Sequence, residues 1–187
     1  MEEIMSTENS TIANLHNWIQ SGFYTADEVK VMLIDIIDES DDQDVLHQFI
    51  DDQFVQRDKE QTTWKDPTDC DRLDQAFAII SKAGVVVLQN AGNTMSDGFE
   101  EVGKVLKPHP KGTFKGYCFY HNQDLERVIE TGELLLAFSD LKGNAEGKQN
   151  IAEIVTNALQ EVGLGYEWSG NLNERIKIPN LKWKRRS

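Results

Sequence analysis

Three predicted helices in this chain each end on a glycine that runs straight into an apolar segment. Residues 70–83 carry a helical pattern closed by Gly84 and followed by the run Val85 to Gln89. Residues 123–131 close on Gly132 before residues 133–138, and residues 148–162 close on Gly163 before a short segment around Gly165 to Trp168. A glycine past the last helical turn takes the left-handed conformation at little steric cost and turns the chain into the next element. The repeated device predicts helices alternating with strands. Two more strands are expected: Gly116 to His121 before the second helix, and Arg175-Ile176-Lys177-Ile178, which alternates charged and apolar residues. The unit from strand 116–121 through its helix to strand 133–138 reads as a βαβ crossover, which would make the two strands parallel. The segments around Trp168 and Ile176 flank Ser169-Gly170-Asn171 and read as a hairpin. The expected fold class is α+β: a mixed sheet with helices mainly on one face, in the manner of a ferredoxin-like sandwich, with an acidic helical segment packed on it.

That helical segment comes first. Asn9 to Gln20 places Ile12, Leu15 and Ile19 on one face, and Ser21-Gly22 ends it. Thr25-Ala26-Asp27-Glu28 has the spacing of a capping box, with Tyr24 and Val29 at the staple positions. The following helix is expected to bury Val29, Met32, Leu33, Ile36 and Ile37. Ser40-Asp41-Asp42 should break it and cap a third helix whose apolar face is Val45, Leu46, Phe49, Ile50 and Phe54. The polar stretch Gln61 to Asp69, with Pro67, marks the boundary. Two parts result, an acidic helical segment over 1–62 and an α/β domain over 67–187.

Charge is distributed just as unevenly. The formal net charge is −13, and residues 1–66 hold 16 acids against 4 bases. Such a segment repels nucleic acid and anionic membranes and attracts a basic protein. Asp35, Asp38, Asp41, Asp42, Asp51 and Asp52 are the candidate partner-binding residues. A solvated face that only keeps the protein soluble would look the same. Glu2 and Glu3 occupy the place of a basic leader, and no apolar run is long enough to span a bilayer, so a cytoplasmic location is expected. Two cysteines, Cys70 and Cys118, suit reduced thiols better than a disulfide framework.

Motifs for chemistry are sparse. His16, His47, His109 and His121 lack a second ligand at a metal-binding spacing, and the aspartate runs lack the glycine and terminal glutamate of a calcium loop. No metal and no cofactor is expected. Cys70 lies between Asp69 and Asp71, which oppose a thiolate, and Cys118 lies within a predicted strand. One weak catalytic constellation is left. If the crossover is parallel, strand ends at His121 and at Ser139-Asp140 share an edge, and a loop containing Asp97 joins them if strand 85–89 is also parallel. A histidine among aspartates there suits acid–base work. Helix capping competes for the same residues, at Asn122 and at Asp97. The tryptophans Trp18, Trp64, Trp168 and Trp183 sit near element ends, where they serve either core packing or an interface.

Several strings carry a family resemblance: Gly22-Phe23-Tyr24-Thr25, residues 68–74, residues 89–92 with 96–98, residues 116–121 with Gln123-Asp124, and residues 175–181. Through them the chain resembles an uncharacterised bacterial family, a domain of unknown function, from about residue 20 to residue 183. The resemblance implies no activity and assigns no site residue. In layout alone the chain is similar to small bacterial regulators that inhibit a ribonuclease by binding it. The favoured expectation is a non-enzymatic binding protein, such as an inhibitor or toxin-neutralising protein, that recognises a basic partner. The alternative is a small-molecule binder or enzyme using the edge around His121 and Asp140.

Overall fold

The computed structural model describes residues 2–38 and 41–186, with side chains from Thr11 onward. The chain divides into two compact units, Met1–Thr68 with Lys184–Ser187, and Asp69–Trp183.

The first unit holds three helices, α1 (Glu2–Ser21), α2 (Ala26–Leu33) and α3 (Gln43–Gln61). Their common core is Leu15, Ile19, Val29, Leu33, Leu46 and Ile50. Full burial of aliphatic side chains like these contributes about 1.5–3 kcal/mol each. Thr25 caps α2 in the expected box: its hydroxyl accepts from the Glu28 N–H, and the Glu28 carboxylate accepts from the Thr25 N–H at 2.8 Å. Helix α2 is shorter than its apolar pattern suggested. It stops at Leu33, so Ile34 is 61% exposed, while Ile36 and Ile37 pack on the core from the turn beyond. Val45, expected on the apolar face of α3, is 62% exposed instead. Asp42 caps α3, and Ser40 lies outside the described residues. Arg57 is buried on the same helix. Its guanidinium donates to the Gln20 carbonyl and to the Arg185 carbonyl, so the tail of the chain closes this unit.

The second unit runs α4 (Asp69–Lys82), β1 (Val85–Leu88), α5 (Met95–Leu106), β2 (Gly116–Phe119), α6 (Asn122–Thr131), β3 (Leu134–Asp140), α7 (Ala145–Glu161) and β4 (Ile176–Ile178). The result is an α+β fold on a mixed sheet of order β1-β2-β3-β4. Strands β1 and β2 are parallel, with α5 as the crossover, while β2 and β3 are antiparallel. This corrects the expected parallel crossover through α6. The reason lies in the register. Residues 137–140 of β3 pair with β2, whereas residues 134–136 lie beyond the end of β2 and pair with β4. Helix α6 therefore carries the chain onward past β2, and Gly132 (φ +78°) turns it back as β3. The expected strand near Trp168 is reduced to one antiparallel bridge, Glu167 to Lys177. Strictly alternating strands and helices also leave no place for the central hairpin of a ferredoxin-like βαββαβ unit.

Alternation along β2 assigns the layers. Gly116 faces Ile151 of α7, and α4 packs on α7 and β1, whereas Phe119 on the opposite face meets Gly98 of α5. A Cβ at Gly98 would overlap the Phe119 ring, so α5 approaches the sheet as closely as only glycine allows.

Candidate functional site

Because β1 and β2 are parallel, the segments that leave their carboxyl ends lie side by side. Three backbone hydrogen bonds lace them together: Ala91 N–H to the Tyr120 carbonyl, Asn122 N–H to that of Gly92, and Gln123 N–H to that of Asn93. His121 emerges at this seam as the residue before α6, in extended conformation, and Asn122 is the first helical residue. Three residues on, within the first turn, Asp124 is fully buried. Its carboxylate accepts from the His121 N–H at 3.4 Å and lies 3.1 Å from His121 Nε2. Arg175, just before β4, places Nη1 2.9 Å from both Asp124 oxygens, and Arg127 Nη1 reaches Oδ1 at 3.0 Å. One buried carboxylate thus draws in two guanidiniums and an imidazole. Uncompensated, such a charge would be costly in the interior.

His121 is 4% exposed, and burial lowers its basicity below that of a free imidazole despite the nearby Asp124 carboxylate. Arg175 and Arg127 push in the same direction as burial. The ring's Nε2 lies 3.1 Å from Asp124 Oδ2 and 3.4 Å from Arg175 Nη1, between the carboxylate and the guanidinium.

Of the sequence-predicted catalytic candidates, the structure brings together two and separates the third. Asp97 lies close enough to His121 for each to influence the other's ionisation. Asp140 pairs across the sheet with Gly116, at the start of β2, so roughly 15 Å of extended chain separates it from His121. Each carboxylate also has a structural task. Asp97 closes a capping box with Thr94 and takes the Asn93 N–H as well, and these hydrogen bonds hold its pKa below the usual carboxylate value. Asp140 accepts the N–H groups of Lys142, Gly143 and Asn144 and so builds the turn before α7. The seam is built as a joint between elements. Asp124 and Arg175, its central pair, were missed as site residues. The His121-x-x-Asp124 spacing of a capping box was the available signal for Asp124, and nothing in the sequence pointed Arg175 towards it.

The six candidate aspartates in the helical unit divide by task. Asp42 Oδ1 accepts the Asp44 and Val45 N–H groups as the cap of α3. Asp41 accepts the Asp38 N–H in the preceding turn, and Asp51 pairs with Lys30 at 2.6 Å. Asp35, Asp38 and Asp52 are exposed. Among the described residues no cluster of three or more His, Cys, Asp or Glu side chains could hold a metal ion, and no helix is long and apolar enough to cross a membrane. Both cysteines are buried thiols, and burial pushes that of Cys118 up to about 12. The tryptophans have partners within their own units: Trp18 on the helical core, Trp64 under Arg57, Lys184 and Arg186, Trp168 on Phe138, and Trp183 on Tyr120.

The family model for a domain of unknown function (DUF6891) matches residues 5–187. The chain belongs to this family. No curated protein and no solved structure matches the chain. The DUF6891 match takes in both units, so the helical unit is part of the family's extent and not an appendage to it.

Proposed function

We propose that this member of DUF6891 is a non-enzymatic docking protein of the bacterial cytoplasm, an inhibitor or toxin-neutralising protein that recognises a basic protein through its acidic helical unit. One observation carries the reading. Val31 on α2 and Ile34 in the turn that follows are 66% and 61% exposed, in a stretch that also carries the exposed acids Asp27, Glu28 and Asp35. Branched aliphatics flanked by carboxylates match an apolar pocket rimmed by lysine and arginine, the apolar centre giving affinity and the charged rim giving orientation and rate. A purely solubilising face has no use for two exposed aliphatics among its acids. The surplus of acids over bases in residues 1–66 supplies the long-range attraction. Two cysteines held as thiols suit a reducing compartment.

The test is competitive capture from lysate by the full chain and by its Val31→Ser/Ile34→Ser variant. The retained basic protein is then purified, and its association rate is measured at two salt concentrations. Loss of the partner in the variant, with a rate that falls steeply with salt, is the expected result. Equal retention by both chains, or a rate indifferent to salt, overturns the reading.

A further inference from the structure

Asp140 lies far from His121, but it shapes a different site. The turn it holds carries Leu141 and Lys142 to the rim of a cleft of about 520 Å³, whose opposite wall is the connection between α5 and β2. Both walls are fixed by backbone contacts. The Lys115 N–H donates to the Gly84 carbonyl at 2.8 Å, and the Leu141 N–H donates to the Lys115 carbonyl at 3.2 Å. Across the cleft, the Thr113 hydroxyl and N–H both donate to the Pro110 carbonyl, and His109 meets the Phe114 ring edge-on at 5.2 Å between centroids. The apolar surface comes from Leu106, Pro110, Phe114 and Leu141.

Around this apolar surface stand Lys111, Lys115 and Lys142. In a chain with 32 acids against 19 bases, Lys30 meets Asp51, Lys104 meets Glu101, and Lys177 meets Glu133 and Glu167. Among the described residues none of the three cleft lysines pairs with a carboxylate. Three unneutralised ammoniums around one apolar hollow raise the local positive potential on a strongly acidic protein. The cleft has the volume and mixed lining of small-molecule sites.

We infer that this cleft binds a small amphiphilic organic anion, with its hydrocarbon or aromatic body against Leu106, Phe114 and Leu141 and its anionic head among Lys111, Lys115 and Lys142. The inference is independent of the docking role of the helical unit. Asp140 is a positioning residue for this cleft, acting through the backbone of Leu141 and Lys142.

The experiment titrates the full chain with 1-anilinonaphthalene-8-sulfonate, whose fluorescence reports an apolar site and whose sulfonate supplies the anion. Decanoate, decanol and inorganic phosphate are the competitors. Saturable binding at one site is expected, with displacement by decanoate, at least about tenfold weaker displacement by decanol, and none by phosphate. Lys111→Gln/Lys115→Gln/Lys142→Gln should weaken dye and decanoate about tenfold or more at an unchanged melting temperature, because all three side chains are exposed. Leu141→Ser should weaken both ligands as well. Unchanged binding in the triple variant, equal displacement by decanol and decanoate, or displacement by phosphate alone overturns the inference.

Discussion

Arg175 Nη1 contacts both oxygens of the buried Asp124 carboxylate at 2.9 Å, although the two residues are 51 positions apart. The pair ties the approach to β4 to the first turn of α6. Asp124 is fully buried while 28% of the Arg175 side chain is exposed, so removing the carboxylate forfeits charge-assisted hydrogen bonds without burying a lone charge, at a cost of about 1.5–3 kcal/mol. Asp124→Asn should lose stability in that range in urea unfolding. Arg127→Gln, which removes the more exposed guanidinium, should lose less than about 1 kcal/mol. Equal losses in the two variants would show that the buried pair is not the anchor.

His121 makes the same joint sensitive to acid. Burial, Arg175 and Arg127 oppose protonation of its ring, while Asp124 and Asp97 favour it, and the balance is a lowered pKa. With the folded value below the unfolded one, the unfolded chain takes up the proton first as the pH falls. The stability contribution is therefore complete above about 6.5 and is lost on acidification towards the folded pKa. The slope can reach about 1.4 kcal/mol per pH unit for one proton. Urea midpoints at neutral and mildly acidic pH should differ more for the wild type than for His121→Asn. Parallel pH profiles would assign the acid sensitivity to other groups.

At Gly98, close packing and helix propensity act in opposite directions. Alanine in a helix interior normally adds up to about 1 kcal/mol over glycine. Here its methyl would overlap the Phe119 ring, and overpacking of this kind typically costs about 1–3 kcal/mol. Gly98→Ala should therefore be destabilising on balance, and a second change, Phe119→Leu, should recover part of the loss. A double-mutant cycle in thermal unfolding measures the coupling; strictly additive effects would mean that α5 shifts freely away from the sheet.

These relationships differ in how far the sequence discloses them. Helix ends were legible, because Thr25 with Glu28, Asp42, Gly84 and Gly132 act through neighbours a few residues away. Strand direction was not. A strand, a short helix and a second strand are compatible with either pairing, and only the offset of residues 134–136 past the end of β2 shows that α6 continues outward. The same error placed Asp140 beside His121, since both were located from that crossover. Arg57 and Asp124 were hidden for another reason. A buried charge looks like a surface charge in sequence until its partners, such as Gln20, Arg185 and Arg175, are known in space.

The acids of the helical unit should separate into two groups under mutation. Asp42→Ala removes a cap and should cost about 1 kcal/mol of stability. Asp51→Asn breaks a partly exposed pair with Lys30 and should cost less than about 1 kcal/mol. Asp27→Asn/Asp35→Asn/Asp52→Asn changes only exposed side chains, so its folding stability should stay within about 0.5 kcal/mol per site. Its association with a basic partner should nonetheless slow, because rim charges steer encounter over a Debye length of about 8 Å at physiological salt. Dissociation should change less than association, since the aliphatic contact of Val31 and Ile34 is untouched. Stopped-flow rates at two ionic strengths check each part. If the triple variant associated as fast as the wild type and kept the same salt dependence, these carboxylates would serve solubility alone, and recognition would rest entirely on the exposed aliphatics.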